Sequence, residues 1–306
     1  SGSSAGSAAA TAAGLVGFAL GTETLGSIVS PSMRCGTTGL RPTFGRVART
    51  GAMPLAWSMD KIGPICRTVE DTALVLAAIN GGDPADPGSR TVPLSFDARA
   101  AVRGIKVGYD PAWFAGDAAH DLDRATLASL GELGLDLVKL QFPGLPYDGL
   151  MPILYAESAA AFEDLTLSDR DDLLVWQDPR AWPNIFRATR FLSAVDLVQA
   201  DRLRRQVMDA LDAVYQRVQV IISPSFSGPM LRASNFTGHP SLTLRVGFRQ
   251  RAPAVKTADG AEPAPPFAAP HGITLYGQLF AEGTLCRVGM ALEQRLNVWP
   301  RRPPVG

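Results

Sequence analysis

From Ser1 to Pro42 the chain reads SGSSAGSAAATAAGLVGFALGTETLGSIVSPSMRCGTTGLRP. Two clusters of Gly, Ser and Thr bracket an alanine-rich run, and each presents a serine, Ser3 and Ser27, 24 positions apart. SAAATAA, residues 7–13, has high helix propensity and Gly14 is placed to end it. LVGFAL, residues 15–20, is expected to form a short buried strand, with GTETLGS following as a loop. A loop of small residues at a helix start can hold an anion on its backbone N–H groups. Both G-x-x-x-x-G-K-[ST] and G-x-G-x-x-G are absent, however, which argues against a nucleotide. A flexible linker would not run directly into apolar residues and a second Gly/Ser turn. The third reading is a nucleophile loop, in which GTETLGS aims successive backbone N–H groups at an oxyanion developing beside Ser27. Neither serine has a nearby histidine or acid of the usual triad kind.

Beyond this stretch, GTTGLRPTFGR (36–46) reads as turn-rich. Residues 68–80 predict a helix with Thr68 as N-cap, Asp71 three residues later and Gly81–Gly82 as its stop. IKVGYD from Ile105 opens a new unit as a strand, a helix near 118–133 follows, and LDLVKL is the next strand. Residues 153–166 read as helical, 193–217 as a long amphipathic helix, and VQVIISPS (218–225) as a buried strand. SLTLRVGF and GITLYGQL are two further strands, and the Pro/Ala-rich residues 249–270 between them read as a surface insertion. A helix near 283–295 closes the pattern, and no internal repeat is present. Strand and helix alternate, which makes α/β the expected class.

With 306 residues, 46% hydrophobic and 19% charged, the chain is long enough to bury a large core. Lys+Arg and Asp+Glu are equal at 29 each, with 3 His, so there is no basic excess to hold a polyanion, and direct binding of nucleic acid is not expected. Cys35, Cys66 and Cys286 are far apart, with no CxxC pair and no clustered His. That pattern suits reduced thiols in a cytoplasmic setting, without disulfides or zinc. No apolar run approaches the roughly 18 residues that span a bilayer. The chain begins inside a Gly/Ser motif and not with Met, so it is expected to be part of a longer protein.

The motifs resemble those of the amidase signature family. Its members carry a GGSSGGS-type cluster, a helix, GT-D/E-x-G-GS-I-x-x-P, Cys-Gly, GL-K/R-PT-Y/F-GRV and S-x-D-x-x-GP-x-x-R. Here stand SGSSAGS, GTETLGSIVSP, Cys35-Gly36, GLRPTFGRV from Gly39, and SMDKIGP from Ser58 with Arg67. Matching is strong over 1–83 and weaker over 193–248 and 272–295. The resemblance implies a single domain over 1–306, built on a mixed sheet with helices on both faces. It also implies a Ser–Ser–Lys mechanism acting on a small-molecule amide, with no metal or organic cofactor. Ser27 would be the nucleophile, Ser3, on a cis peptide, the proton relay, and the N–H groups of Thr24, Leu25, Gly26 and Ser27 the oxyanion hole. A neutral lysine is the base. In the family it lies upstream of the first serine cluster, and none of Lys61, Lys106, Lys139 and Lys256 stands at that place. Lys61 falls in SMDKIGP, where the family does not keep its base, so this segment alone is expected to be inactive.

Two departures bear on substrate. Leu25 replaces a glycine and adds bulk beside the oxyanion loop, and Val29 stands where many relatives carry a carboxylate-gripping arginine. An acidic substrate is thereby disfavoured. Ser1 and Ala5 also replace glycines, and both are small. Ser4, His239 and His271 read as structural, Cys35 as a small core residue and Asp60 as a loop brace. Glu163–Asp164 and Asp171–Asp172 read as solvated charges. Two rival readings stand beside a free-standing amidase. One is the glutaminase-type A subunit of a tRNA-dependent amidotransferase, and the other a non-catalytic scaffold with this fold. The oligomeric state is not fixed by the sequence, and a homodimer stays open.

Overall fold

The computed structural model describes residues 2–252 and 266–303. Its strands are β1 (Ala19–Glu23), β2 (Thr38–Arg41), β3 (Lys61–Cys66), β4 (Lys106–Tyr109), β5 (Asp136–Lys139), β6 (Val220–Pro224), β7 (Ser241–Arg251) and β8 (Phe267–Gly277). They form one sheet in the order β1-β3-β2-β7-β8-β6-β4-β5. Pairing is antiparallel from β1 across to β6 and parallel for β6–β4 and β4–β5. The helices are α1 (Ala5–Ala13), α2 (Val29–Cys35), α3 (Val69–Ile79), α4 (Asp121–Glu132), α5 (Met151–Ala161), α6 (Glu163–Leu167), α7 (Trp182–Thr189), α8 (Ala194–Tyr215), α9 (Met230–Thr237) and α10 (Glu282–Leu296). The mixed α/β architecture is the one expected.

Helices cover both faces of the central strands. A Cβ on Gly289 of α10 would collide with Leu242 of β7, while one on Gly272 of β8 would meet Met33 of α2 at 3.1 Å. Gly272 pairs with Arg245, three residues beyond Leu242, and odd and even strand positions project to opposite sides. Covered in this way, β6 is buried along its whole length, which explains its unbroken apolar VII run.

The first third of the chain departs most from expectation. Residues 15–18 of LVGFAL are exposed, Leu15 at 78%, and the strand begins only at Ala19. It continues through Gly21, Thr22 and Glu23, which were expected in a loop, because these residues pair with Gly63, Ile62 and Lys61. The turn-rich reading of 36–46 conceals β2, and SMDKIGPIC conceals β3. Glycine here serves close packing: a Cβ on Gly39 would collide with Ser32 of α2, and one on Gly63 with the Leu40 carbonyl. At the other end, residues 249–251 and 267–270 of the expected insertion are paired strand, and 253–265 lie outside the described residues.

The predicted cap of α3 is present, with Thr68 Oγ1 accepting from Asp71 N at 3.1 Å, an arrangement worth about 1 kcal/mol. A second group caps this helix from α10. Glu293 is buried, and its two carboxylate oxygens each accept from Val69 N at 3.2 Å. Burial pushes the Glu293 carboxyl up to about 7, with the Val69 N–H and Thr38 hydroxyl opposing the shift. The folded state therefore holds this proton more tightly than the unfolded chain does, and stability falls as pH rises from about 4.5 to about 7. Glu293→Gln is expected to remove that part of the slope, on the order of 3 kcal/mol, when urea midpoints are compared between pH 4.5 and 8. An unaltered slope in the variant would disprove the assignment.

Candidate active site

The first Gly/Ser cluster is tied to the second by Ser4. Ser4 N donates to the Ser27 carbonyl at 3.3 Å. Its buried Oγ donates to Thr22 O and accepts from Thr22 N, both at 3.1 Å. Ser4 is thus a structural hydroxyl, and its neighbour Ser3, preceded by a cis Gly2–Ser3 bond, is left exposed. Ser3 and Ser27 line one cavity of about 840 Å³. No side-chain hydrogen bond joins either hydroxyl to another described residue, so both are open to a ligand.

Between β1 and α2 the chain turns through Thr24, Leu25, Gly26 and Ser27. Gly26 has φ +101°, a conformation that a side chain would strain. Among the described residues, none of the four N–H groups in this turn takes a protein partner. The turn is braced on both sides. Thr24 Oγ1 donates to Asp60 Oδ1 at 2.6 Å, and Asp60 Oδ2 accepts from Leu55 N (2.7 Å) and Ala56 N (2.9 Å), so Asp60 is the loop brace expected.

The other brace lies beneath the turn. Glu23 Oε2 accepts from Ile28 N and Val29 N at 2.7 and 2.9 Å, capping α2 immediately after Ser27. Its Oε1 accepts from Arg41 Nη1 at 2.6 Å and Asn235 Nδ2 at 2.8 Å. Arg41 Nη2 continues to Ser234 Oγ (2.9 Å) and the His239 carbonyl (2.6 Å) in α9 and the turn after it. The side chains of Glu23 and Arg41 are fully buried. Burial alone would raise the Glu23 carboxyl, but Arg41 and the hydrogen bonds from Val29 and Asn235 outweigh it and hold the group below its ordinary range.

Lys61, set aside in the sequence, lines the same cavity as the two serines while being only 2% exposed. Burial pulls its ammonium well below the usual lysine range, Arg41 adds to the effect, and Glu23 and Asp60 oppose it. Its Nζ donates to the Asn235 carbonyl at 3.4 Å, and among the described residues no hydrogen bond joins it to Ser3 or Ser27.

The remaining candidates take structural places. Burial raises the thiols of Cys35, Cys66 and Cys286, Cys66 to about 12, which keeps them protonated. Burial and Arg41 lower His239 to about 4, and its Nδ1 meets Thr237 Oγ1 at 2.7 Å. His271 Nε2 lies 2.9 Å from Asp123 Oδ1, away from the serine cavity. Glu163, Asp164 and Asp172 are exposed as expected, but Asp171 is not a solvated charge. It is buried against Arg187, with Nε to Oδ2 2.8 Å, because α7 brings that guanidinium back over the 170–173 turn. Sequence reasoning also passed over Glu23, Arg41 and Asn235. The first two stand inside the quoted motifs GTE and GLRP, but their pairing spans the sheet. Among the described residues no group of three or more His, Cys, Asp and Glu is placed to hold a metal ion. No described helix is long and apolar enough to cross a membrane.

The sequence pattern of the family described as Amidase matches residues 1–286. An amidase of Pseudomonas putida is 32% identical, the alignment covering 97% of this chain and 66% of that protein. The A subunit of the glutamyl-tRNA(Gln) amidotransferase of Anaeromyxobacter dehalogenans is 31% identical over 99% of this chain and 68% of its own. Among solved structures, the native peptide amidase from Stenotrophomonas maltophilia superposes with a TM-score of 0.78 at 27% identity, covering 99% of this chain and 67% of that one. The chain thus spans about two thirds of the length of these relatives. By sequence pattern, identity and fold, the chain belongs to the amidase signature family.

Proposed function

We propose that these residues form the acyl-transfer half of an amide hydrolase with Ser27 as nucleophile. The observation that carries the reading is the turn 24–27, whose four N–H groups have no partner among the described residues, around a serine that lines a cavity. Ser27 Oγ attacks the amide carbonyl, and the oxygen that becomes negative is received by N–H groups of Thr24, Leu25, Gly26 and Ser27. The proton leaving Ser27 passes through Ser3 to a neutral lysine, and returns to the nitrogen as ammonia or an amine departs. Water then attacks the acyl-serine along the reverse proton route and releases the carboxylic acid.

The base in this reading is a lysine upstream of Ser3, as the family resemblance implies; the one hydrogen bond that Lys61 Nζ makes to a described residue goes to the Asn235 carbonyl. The substrate is a small amide. Three unpaired cysteines fit a reducing, cytoplasmic setting. Similarity to the A subunits of amidotransferases supports a second reading, in which ammonia released here passes to a partner protein. Leu25 and Val29, where glycine and arginine were expected, favour the free-standing hydrolase.

In a hydroxamate-forming assay of the full-length protein carrying these residues, Ser27→Ala is expected to lower kcat by about a thousandfold or more. Ser3→Ala should cost about a hundredfold, the scale of a lost proton-transfer step. Undiminished turnover by Ser27→Ala would refute the nucleophile. Lys61→Met is expected to retain more than about a tenth of the activity, since general-base removal costs at least 10²-fold. A larger loss, accompanied by disappearance of the acidic limb in the pH–rate profile, would transfer the base to Lys61.

A further inference from the structure

The cavity beside Ser27 is assembled from unlike walls. Opposite the serine turn, α5–α7 contribute Phe162, Leu165, Leu174, Trp182 and Phe186. Three of these rings form a continuous stack. Phe162 and Phe186 have centroids 5.0 Å apart and planes 12° from parallel, and Trp182 lies 5.6 Å from Phe186 at 27°. Phe186 is buried beneath, while Trp182 and Leu174 keep 36% and 39% exposure and are free to meet a ligand.

Four ionisable side chains also line the cavity: three are already paired, and Lys61 is buried with a single 3.4 Å hydrogen bond and a charged form that burial disfavours. Arg49 donates from Nε and Nη2 to the two oxygens of Asp86, both at 3.0 Å, and from Nη1 to the Trp57 carbonyl at 2.6 Å. That pairing holds the Asp86 carboxyl down at about 2. Asp60 is saturated by Thr24 Oγ1 and the N–H groups of Leu55 and Ala56. Lys61 is enclosed, and Asn235 O receives its hydrogen bond. Among the described lining residues, therefore, no guanidinium or ammonium is left to receive a substrate carboxylate, and no carboxylate to receive a substrate ammonium. Against these residues a charged group would lose water and gain no partner.

We infer that this cavity selects uncharged amides bearing an aromatic or extended apolar group, which stacks on the Trp182–Phe186–Phe162 wall, and that it rejects glutamine. The inference rests on the proposed role of Ser27 only for which cavity is the substrate site. Aromatic stacking and apolar contact supply the affinity, and the lack of unpaired charge supplies the discrimination. Trp182 and Leu174 are the specificity-determining side chains.

The test measures binding, so that it does not depend on turnover. Ser27→Ala protein, prepared as the full-length chain, is titrated with 3-phenylpropanamide, propanamide and L-glutamine by calorimetry. The phenyl amide is expected to bind at least tenfold more tightly than propanamide, and glutamine more weakly than either. Trp182→Ala, and separately Leu174→Asn, should each weaken the phenyl amide at least fivefold and shift propanamide less than twofold. Because both positions are partly exposed, either variant serves if the other fails to fold. Glutamine binding as tightly as the phenyl amide, no preference between the two neutral amides, or equal effects of the substitutions on both would overturn the inference. If the phenyl amide binds as expected while the unsubstituted protein turns over no amide, the hydrolase proposal fails and the specificity inference stands.

Discussion

The pairing of Glu23 with Arg41 is the interaction on which the serine turn depends. A fully buried carboxylate and guanidinium are costly to remove from water, and such a pair is stabilising only when the remaining lone pairs and donors are also satisfied. Here Glu23 accepts from Ile28 N, Val29 N, Arg41 and Asn235, and Arg41 reaches Ser234 Oγ and the His239 carbonyl as well, while Arg41 Nε and Asn235 Oδ1 are buried without a partner among the described residues. One carboxylate thereby joins β1, the first turn of α2, β2 and α9. Ser27 sits between the end of β1 and the start of α2, so its position is set from both sides by the same side chain. Each of these partners is an internal element, not a loop tip, which gives the turn the rigidity that electrostatic preorganisation requires.

That arrangement also accounts for the division of polar groups at the site. Charges near the turn are consumed in holding structure: Glu23 with Arg41, Asp60 with Thr24, Asp86 with Arg49. Among the described residues, the four backbone N–H groups of the turn and the hydroxyls of Ser3 and Ser27 are left unpaired. Such a site can stabilise charge that develops during reaction while offering nothing to charge already present on a ligand.

Much of the α/β alternation after residue 67 was legible in the sequence because it is local. The Thr68 cap, the long helix of α8 and the apolar run of β6 carry their own signals. Motif spacing also singled out Ser3 and Ser27, which line one cavity. What escaped were features set by distant partners. Helix α2 has no side-chain cap of its own, since its free N–H groups are met by Glu23 from the preceding strand. Strands β2 and β3 each carry a glycine, Gly39 and Gly63, because α2 and a neighbouring strand press on them, a packing reason that reads locally as a turn. Asp171 looked solvated because the guanidinium that buries it comes from a helix further along the chain. The apolar run 15–18 looked like core, and no local rule distinguishes it from the strand that starts one residue later.

The most direct measurement is a double-mutant cycle on Glu23 and Arg41, read in kcat for a neutral amide with the full-length protein and checked for folding by Tm. If the two side chains act as one brace for the Ser27 turn, Glu23→Gln and Arg41→Met each lower kcat on the order of a hundredfold, and the double variant is scarcely worse than either single one. Effects that multiply in the double variant, or single variants that fold and retain full kcat, would contradict the claim that this buried pair positions the nucleophile.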